Sequence, residues 1–457
     1  MGTSDLLAAP PLGYAVPRHF VATGPNIIMH SALGLMKERR FLPLFVTQFL
    51  GAFNDNLFKQ MMVYFVTYHV LHNPKAEFGF TALATAISLV PFFLLSALAG
   101  QLADTHDKSR IIRIVKTAEI LIMIGGGTGL VLARLGFIDV GIGLMLAAVL
   151  ALGTHSTFFG PIKYAILPQH LDADDVLGGT GLIEASTYLA ILLGTIAAGW
   201  LSVDAAALCA VALAVVGRLT AARVPPAPRA GARLEINYNP FTSSWRLVNA
   251  TMHIPRLFLA ICSISFFWMI GAIVIATFPP LVKNILFADQ RVASTLNALF
   301  SIGIAIGSVA INRLLRGRVS ARFAPASVIA MGVLFVVFST LMRAWPAPEP
   351  GHLYNWIEFA RLPRAIPLVG TLMAIAVTGG MFVVPLYAFL TTTVTKDQTA
   401  RTVAANNIVN SGAMVLGTLG VAALTAVGVS SLGVLLVVAG MCLGAAWIAQ
   451  KLHEACD

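Results

Sequence analysis

Apolar residues run through the chain in twelve long blocks separated by short polar or Pro-rich segments. The blocks lie at about 41–70, 79–103, 111–133, 140–167, 177–201, 204–221, 257–282, 293–314, 325–344, 366–392, 402–425 and 429–450. About 20 apolar residues suffice for a helix to cross the ~30 Å hydrocarbon core, so each block predicts a transmembrane helix. The strongest interruption, Arg223 to Arg256, is rich in Pro and Arg and divides the blocks into two sets of six. The predicted fold is all-α and integral to the membrane, with twelve transmembrane helices in two pseudo-symmetric six-helix halves. Residues 41–222 and 257–450 form the halves, 223–256 the linker, and 1–40 and 451–457 the tails.

Composition agrees with this pattern. Of 457 residues 58% are hydrophobic and 11% charged, against about 25% charged in soluble domains, too few to cover a soluble surface. The net charge of +10 does not indicate nucleic acid, because the basic residues fall between apolar spans rather than on one soluble domain. They report orientation instead. With both termini inside, the cytoplasmic segments hold 21 Lys and Arg, Lys108, Arg110, Arg113 and Lys116 among them, and the outer segments 7. That bias predicts cytoplasmic termini. Residues 1–36, Pro- and Ala-rich, lack the layout of a signal peptide and are expected to form a loose tail. Cys209, Cys262 and Cys442 lie in spans, with Cys456 in the tail, so neither a disulfide framework nor a metal-type spacing is present. No Walker loop is found, and no cofactor is expected.

Candidate chemistry begins where polar residues enter a span. Gln48, Gly51, Asp55, Lys59 and Met62 follow one face of the first helix, and Asn54 and Asn56 flank Asp55. An ionisable residue at a span's centre costs roughly 2.5–3.5 kcal/mol on insertion scales. Asp55 and Lys59, four apart with the acid first, are placed for a helical ion pair. Their face is expected to meet a cavity, the alternative being a polar staple between helices. Lys163 follows the helix-disturbing Pro161, and Glu184 lies on the next helix, where a structural salt bridge with Lys163 is the alternative to a substrate role.

An internal repeat relates the two halves. Thr154 to Leu167, T-H-S-T-F-F-G-P-I-K-Y-A-I-L, corresponds to Thr378 to Leu390, T-G-G-M-F-V-V-P-L-Y-A-F-L, so that Pro161 falls on Pro385 and Lys163 on Tyr387. In the following helix Thr180, Gly181 and Glu184 fall on Asn406, Asn407 and Asn410. Transporters built from two parallel six-helix halves place their substrate between them, near the midplane. The loop Gly100-Gln-Leu-Ala-Asp104-Thr-His-Asp-Lys108-Ser-Arg110 resembles the G-x-L-A-D-R-x-G-R-R loop of the major facilitator superfamily, although Thr105 stands where a base is usual. That resemblance implies a gate at Asp104 with Arg110 as partner; a plain charged loop is the alternative.

Five runs, Q-F-L-G-A-F-N-D-N (48–56), G-P-I-K-Y-A-I-L (160–167), E-A-S-T-Y-L-A-I-L-L-G-T (184–195), G-G-M-F-V-V-P-L-Y-A (379–388) and A-A-N-N-I-V-N (404–410), resemble the lysophospholipid transporter branch of that superfamily. They are especially similar to the transporter domain fused to an acyltransferase in some bacterial proteins. The chain departs from the stand-alone transporters in helix seven, where Ile273 to Ala276 replace an Arg. The resemblance implies a multi-pass monomer of the bacterial inner membrane that moves lysophospholipids such as lysophosphatidylethanolamine between leaflets. Membrane lipids and a separate acyltransferase are the implied partners.

The residues suit such a cargo, whose acyl chain stays in lipid while its polar head needs a path. Asp55 would pair with an ammonium, and Lys163 and Lys59 would hold a phosphate as point charges. Asn406, Asn407 and Asn410 would serve the glycerol, with interhelical hydrogen bonding as the alternative. Two other readings stand beside this one. The first is a carrier of another amphiphile, driven by protons. The second is an acyltransferase, for which His170 and Asp175 match an H-x4-D pattern, with His170 as the base.

Overall fold

The structure, a computed structural model, describes residues 34–172, 175–229, 236–316, 319–392, 394 and 396–456. Residues 1–33 of the expected N-terminal tail lie outside it. Twelve long helices are found among the described residues. The first half holds α1 (Leu42–Phe65), α2 (Pro74–Thr105), α3 (Lys108–Arg134), α4 (Ile138–Ala165), α5 (Val176–Trp200) and α6 (Val203–Ala222). The second holds α7 (Pro255–Asn284), α8 (Gln290–Leu314), α9 (Ala324–Arg343), α10 (Ala365–Thr392), α11 (Lys396–Ala426) and α12 (Ser431–Cys456). Among the described residues eleven of these helices are long and apolar enough to cross a membrane. The other, α1, is made too polar by Gln48, Asn54, Asp55, Asn56, Lys59 and Gln60.

Local signals set the helix ends. Asn73 caps α2, accepting from Lys75 N, and Pro74 follows at the first helical position, so α2 starts five residues before the apolar run that predicts it. Asp107 caps α3 and Asp289 caps α8 in the same way. A π-helical turn, Val66–Val70, extends α1.

The packing is repeated from half to half. In the first half α1 packs on α5 and α6, α3 on α4 and α6, and α2 on α4; in the second α7 packs on α11 and α12, α9 on α10 and α12, and α8 on α10. Between the halves α2 packs on α11 and α5 on α8, which is again one contact seen twice. Close approach depends on glycine at α8–α10, where a Cβ on Gly307 would lie 2.0 Å from the Val377 carbonyl and one on Gly380 2.3 Å from that of Ile304.

The two ends of the bundle are packed differently. One apolar cluster runs through the second half and into the first half at the end where α1 meets α2, taking in Leu57 to Val66, Phe78 to Ala84 and Ala198. This is called the far end. At the other, linker end, Phe41, Leu44, Ala103, Ile162, Leu171 and Val224 belong to a separate cluster confined to the first half and the linker. The halves therefore meet at the far end and part toward the linker end. Far-end polar contacts reinforce the junction: Lys283 pairs with Glu77 at 2.6 Å, Asn284 donates to Glu77 at 2.6 Å and Thr81 to the Ala276 carbonyl at 2.6 Å.

A helix of the linker, Pro240–Met252, packs on α2, α11 and α7. Its polar side faces the protein, with Ser243 buried and accepting from Gln101, while Phe241 and Trp245 are exposed. The loop from Trp345 to Arg364 folds on itself, with Trp345 buried and stacked on Phe359 at 5.3 Å between ring centroids.

Candidate functional site

The polar residues of α1 point in three directions. Gln48 reaches α5, its amide donating to the Ile183 carbonyl at 3.0 Å, to Ser186 at 3.1 Å and to Thr187. Asn54 turns the other way. It is 0% exposed and donates to Glu119 at 3.2 Å and to the Ala210 carbonyl at 3.0 Å, tying α1 to α3 and α6. A substrate role for Asn54 is thus corrected to a structural one. Asn56 bonds its own helix at the Ala52 carbonyl, 2.8 Å away, where α5 comes close at Gly194.

Asp55 and Lys59 do not form the expected ion pair. Asp55 accepts a 2.5 Å hydrogen bond from Ser156 of α4, and its other oxygen, Oδ1, has no partner among the described residues. Lys59 is half-buried, and among the described residues it makes no hydrogen bond or ion pair within 4.0 Å, although it lies within the field of Asp55. A charge left in this state is available to a ligand.

Lys163 and Glu184 are also separate. Lys163 donates to Thr187 at 3.2 Å and stands 4.9 Å from the Tyr164 ring centroid, whereas Glu184 accepts from the Tyr164 hydroxyl. The alternative, a structural salt bridge between them, is not formed within 4.0 Å, and each charge has a neutral partner instead. Tyr188 is 63% exposed, and Glu184 and Tyr387 of α10 lie within its electrostatic reach.

From the second half, Tyr387 rather than the Asn group comes forward. Its hydroxyl accepts from Trp268 at 2.7 Å, and Asn410, buried, accepts from Ser265 at 2.7 Å and reaches Tyr387 at 3.5 Å. Asn406 is 0% exposed beside the same hydroxyl. These two residues orient Tyr387, and only Asn407 of the three is exposed. The repeat matches Tyr387 to Lys163 without marking it as a site residue.

Sequence reasoning missed a second ionic cluster inside the first half. Lys116, assigned to a cytoplasmic loop, is 0% exposed within α3 and pairs with Glu119 at 2.6 Å. His155 of α4 lies 3.2 Å from the same carboxylate. Gly51 makes the room, since a Cβ there would lie 2.2 Å from Lys116 Nζ. The signal was present: Lys116 and Glu119 are spaced for one helix face, and an acid three residues beyond a base inside a span is costly unless it is paired. Among the described residues no three His, Cys, Asp or Glu side chains converge to hold a metal ion.

At the linker end Asp104 and Arg110 are both exposed, and no ion pair joins them. The acid that organises this loop is Asp107. It accepts from Ser109 Oγ at 2.7 Å, from the backbone of Ser109 and Arg110 at 2.9 and 3.2 Å, and from Ala227 N of the linker at 3.4 Å. Burial pushes the Asp107 carboxyl up, but these hydrogen bonds outweigh it and hold the group below its ordinary range. His170 sits at the end of a one-turn helix, Leu167–His170, among Arg40, Pro226 and Asp107. Asp175 makes no ion pair with it within 4.0 Å.

Two six-helix halves of repeated packing, joined by polar contacts at the far end and carrying ionisable side chains at midspan, have the architecture of a membrane carrier. The family model of the Major Facilitator Superfamily matches residues 44–418, and the chain belongs to that superfamily. It is a transporter rather than an enzyme. Among its relatives is the lysophospholipid transporter LplT of Serratia proteamaculans (strain 568), 29% identical over 379 residues that cover 77% of this chain and 80% of the relative. The protein of the same name in Shigella sonnei (strain Ss046) is 28% identical over 438 residues, 89% of this chain and 95% of the relative. The fold is shared with the D-xylose-proton symporter at TM-score 0.67 and 11% identity, covering 90% of this chain and 98% of that one. It is also shared with a mutant of the nucleoside transporter NupG at TM-score 0.64 and 14% identity, covering 91% and 100%.

Proposed function

We propose that this transporter is a flippase for lysophospholipids, moving lipids such as lysophosphatidylethanolamine between the leaflets of a bacterial inner membrane by alternating access. The observation that carries the reading is the set Asp55, Lys59, Lys163 and Glu184, unpaired with one another at midspan in a chain whose relatives are named lysophospholipid transporters. A zwitterionic head carries one ammonium and one phosphate, and the set offers carboxylates for the first and lysines for the second. Asp55 takes the ammonium through its free oxygen. Lys163 and Lys59 take the phosphate, with Tyr188 and Asn407 turned to the glycerol. The acyl chain needs no polar site and stays in lipid.

The Lys and Arg bias supports placing the linker end and both termini in the cytoplasm, which makes the conformation described here open to the inside. A separate acyltransferase acting on the delivered lysolipid, and a monomeric carrier, complete the reading. The test is reconstitution into vesicles with labelled lysophosphatidylethanolamine in one leaflet. Transfer to the other leaflet well above protein-free vesicles is expected, with no acyl product formed. Transfer no faster than the blank would overturn the reading.

A further inference from the structure

We propose that a basic cavity between the start of α1 and the end of α6 binds the head of an anionic phospholipid from the leaflet at the linker end. The cavity measures about 360 Å³, within the ~300–1,000 Å³ range of small-ligand sites. Lys37 and Arg39 line it from the turn that precedes α1, and Arg223 lines it from the C-cap of α6. These cations stand at opposite ends of the first half's sequence, so the packing of α1 on α6 is what brings them together. A bias of positive charge toward one side of a membrane sets cations at loop level, but it does not require them to converge on one cavity.

The backbone around the cavity is fixed. Before α1, the Lys37 amide donates to the Gly34 carbonyl at 3.0 Å and the Leu42 amide to that of Glu38 at 2.9 Å, and buried Leu35 and Phe41 anchor the turn. After α6, the Arg223 amide donates to the Thr220 carbonyl at 2.9 Å, and the next residue, Val224, is buried with its carbonyl accepting from Arg113 at 3.1 Å. The hydroxyls of Thr47 and Thr220, 2.9 Å apart, join the two walls. Within this frame the three cations are uncommitted. All are exposed, and among the described residues no side-chain hydrogen bond or ion pair within 4.0 Å engages them. The neighbouring Arg113 and Arg218 are held elsewhere, by the Val224 carbonyl and by Thr117.

The lining selects the ligand. No carboxylate is part of it, since Glu38, between the two cations of the turn, stays outside the cavity wall. Three cations without a counter-charge suit a phosphodiester of net negative charge, which the arginines grip through their planar forks, and they offer nothing to the ammonium of a zwitterionic head. The midspan set differs in this respect, because it holds Asp55 and Glu184 beside its lysines. Leu42, Pro43 and Val46 give the cavity an apolar side. On α6, Val216, Leu219, Thr220 and Arg223 recur on one helical face, and Val216 and Leu219 are exposed there, 45% and 60%. A free phosphate gains nothing from that surface, whereas a lipid lays its acyl chains along it with its phosphate among the cations. Basic pockets between transmembrane helices hold anionic head groups in this manner.

The test uses the full chain in a neutral detergent, with native mass spectrometry counting what stays bound as phosphatidylglycerol, phosphatidylcholine or inorganic phosphate is added. Wild-type protein should retain one phosphatidylglycerol at concentrations where the other two leave it bare. Replacing all three cations, Lys37→Gln with Arg39→Gln and Arg223→Gln, should weaken that binding by about tenfold or more. A matched variant, Arg313→Gln with Arg316→Gln and Arg322→Gln, removes the same charge from exposed positions between α8 and α9 and should bind as wild type does. Thermal unfolding without lipid checks that both variants fold; Arg223→Gln alone, expected to cost about fivefold, replaces the triple variant if that one does not. Equal weakening in the two matched variants would reduce the effect to general surface attraction and overturn the site, as would phosphatidylcholine bound as tightly as phosphatidylglycerol. Displacement of the lipid by inorganic phosphate at equal concentration would overturn the lipid as occupant. Lysolipid transfer plays no part in these readings, so they stand or fall apart from the function proposed above.

Discussion

Asp55 shows how a single side chain is divided between structure and function. One oxygen is committed to Ser156, and the other is buried at midspan without a partner among the described residues. Asp55→Asn keeps the size and an acceptor for Ser156 but removes the charge that an ammonium needs. We expect normal expression and at least about a tenfold fall in lysolipid transfer, corresponding to the loss of one charged contact of ~1.5–3 kcal/mol; wild-type transfer in this variant would remove Asp55 from the path. Lys116 belongs to the opposite class, since its ammonium is enclosed and serves Glu119 alone among charged groups within 4.0 Å. Lys116→Met strands a buried carboxylate, a loss of about 3–5 kcal/mol when one partner of a buried pair is removed. Thermal unfolding should show a large drop for Lys116→Met and a smaller one for Lys116→Met with Glu119→Gln. Equal drops would mean that the pair is not the cause.

Helix packing carries the same division. The α8–α10 pair is drawn together by Gly307 and Gly380, each facing a backbone carbonyl of the other helix, and nothing in that contact touches the midspan charges. In a membrane, where no hydrophobic force pushes helices together, such small residues let backbones reach van der Waals contact. Gly307→Val should force the pair apart, and overpacking of this kind costs about 1–3 kcal/mol. Thermal unfolding in detergent should fall accordingly, while Gly143→Ala, at a position with open space around the built Cβ, should leave it unchanged. A Gly307→Val protein as stable as wild type would show that the helices can separate at no cost, and the close packing would then not hold this half together.

For the molecule as a whole, the far end acts as the clasp. Lys283 of α7 donates to Glu77 of α2 at 2.6 Å and to the carbonyls of Thr67 and Leu71 at 2.6 and 2.9 Å, and Glu77 is 1% exposed. These contacts exist only while the halves are closed there. Lys283→Met leaves Glu77 buried without its cation, a penalty of about 3–5 kcal/mol that falls on the closed state alone. A shift of that size is enough to reverse a two-state balance. Spin labels at His72 and Glu349, exposed on opposite halves, should report a longer far-end distance in Lys283→Met than in the parent. An unchanged distance distribution would mean that the apolar cluster, not this ion pair, keeps the far end shut.

Much of this was legible in the chain alone, for reasons that can be named residue by residue. Span positions follow from apolar run length, because every backbone polar group in lipid must be satisfied within a helix. The twelve helices accordingly lie within a few residues of the runs, with the largest departures where polar residues prolong a helix, as at Asn73 and from Lys396. The pairing of Pro161 with Pro385, and the polarity of α1 with Asp55 and Lys59, were equally visible. What sequence spacing could not decide was partner choice. Asp55 and Lys59 are four apart on one helix, yet Asp55 found Ser156 of α4; Lys163 found Thr187 and left Glu184 to Tyr164. Lys116 looked like a loop cation because the bias of positive charge toward one side is a rule about numbers, which cannot see that α3 turns this side chain inward onto Glu119 and His155. A buried ionic group binds whichever complementary group the packing of neighbouring helices brings within about 3 Å, and that distance is a property of the tertiary structure. The sequence by itself therefore determined that the chain forms twelve long helices in two related halves with charge at midspan, while only the tertiary structure decided which of those charges pair with each other and which do not.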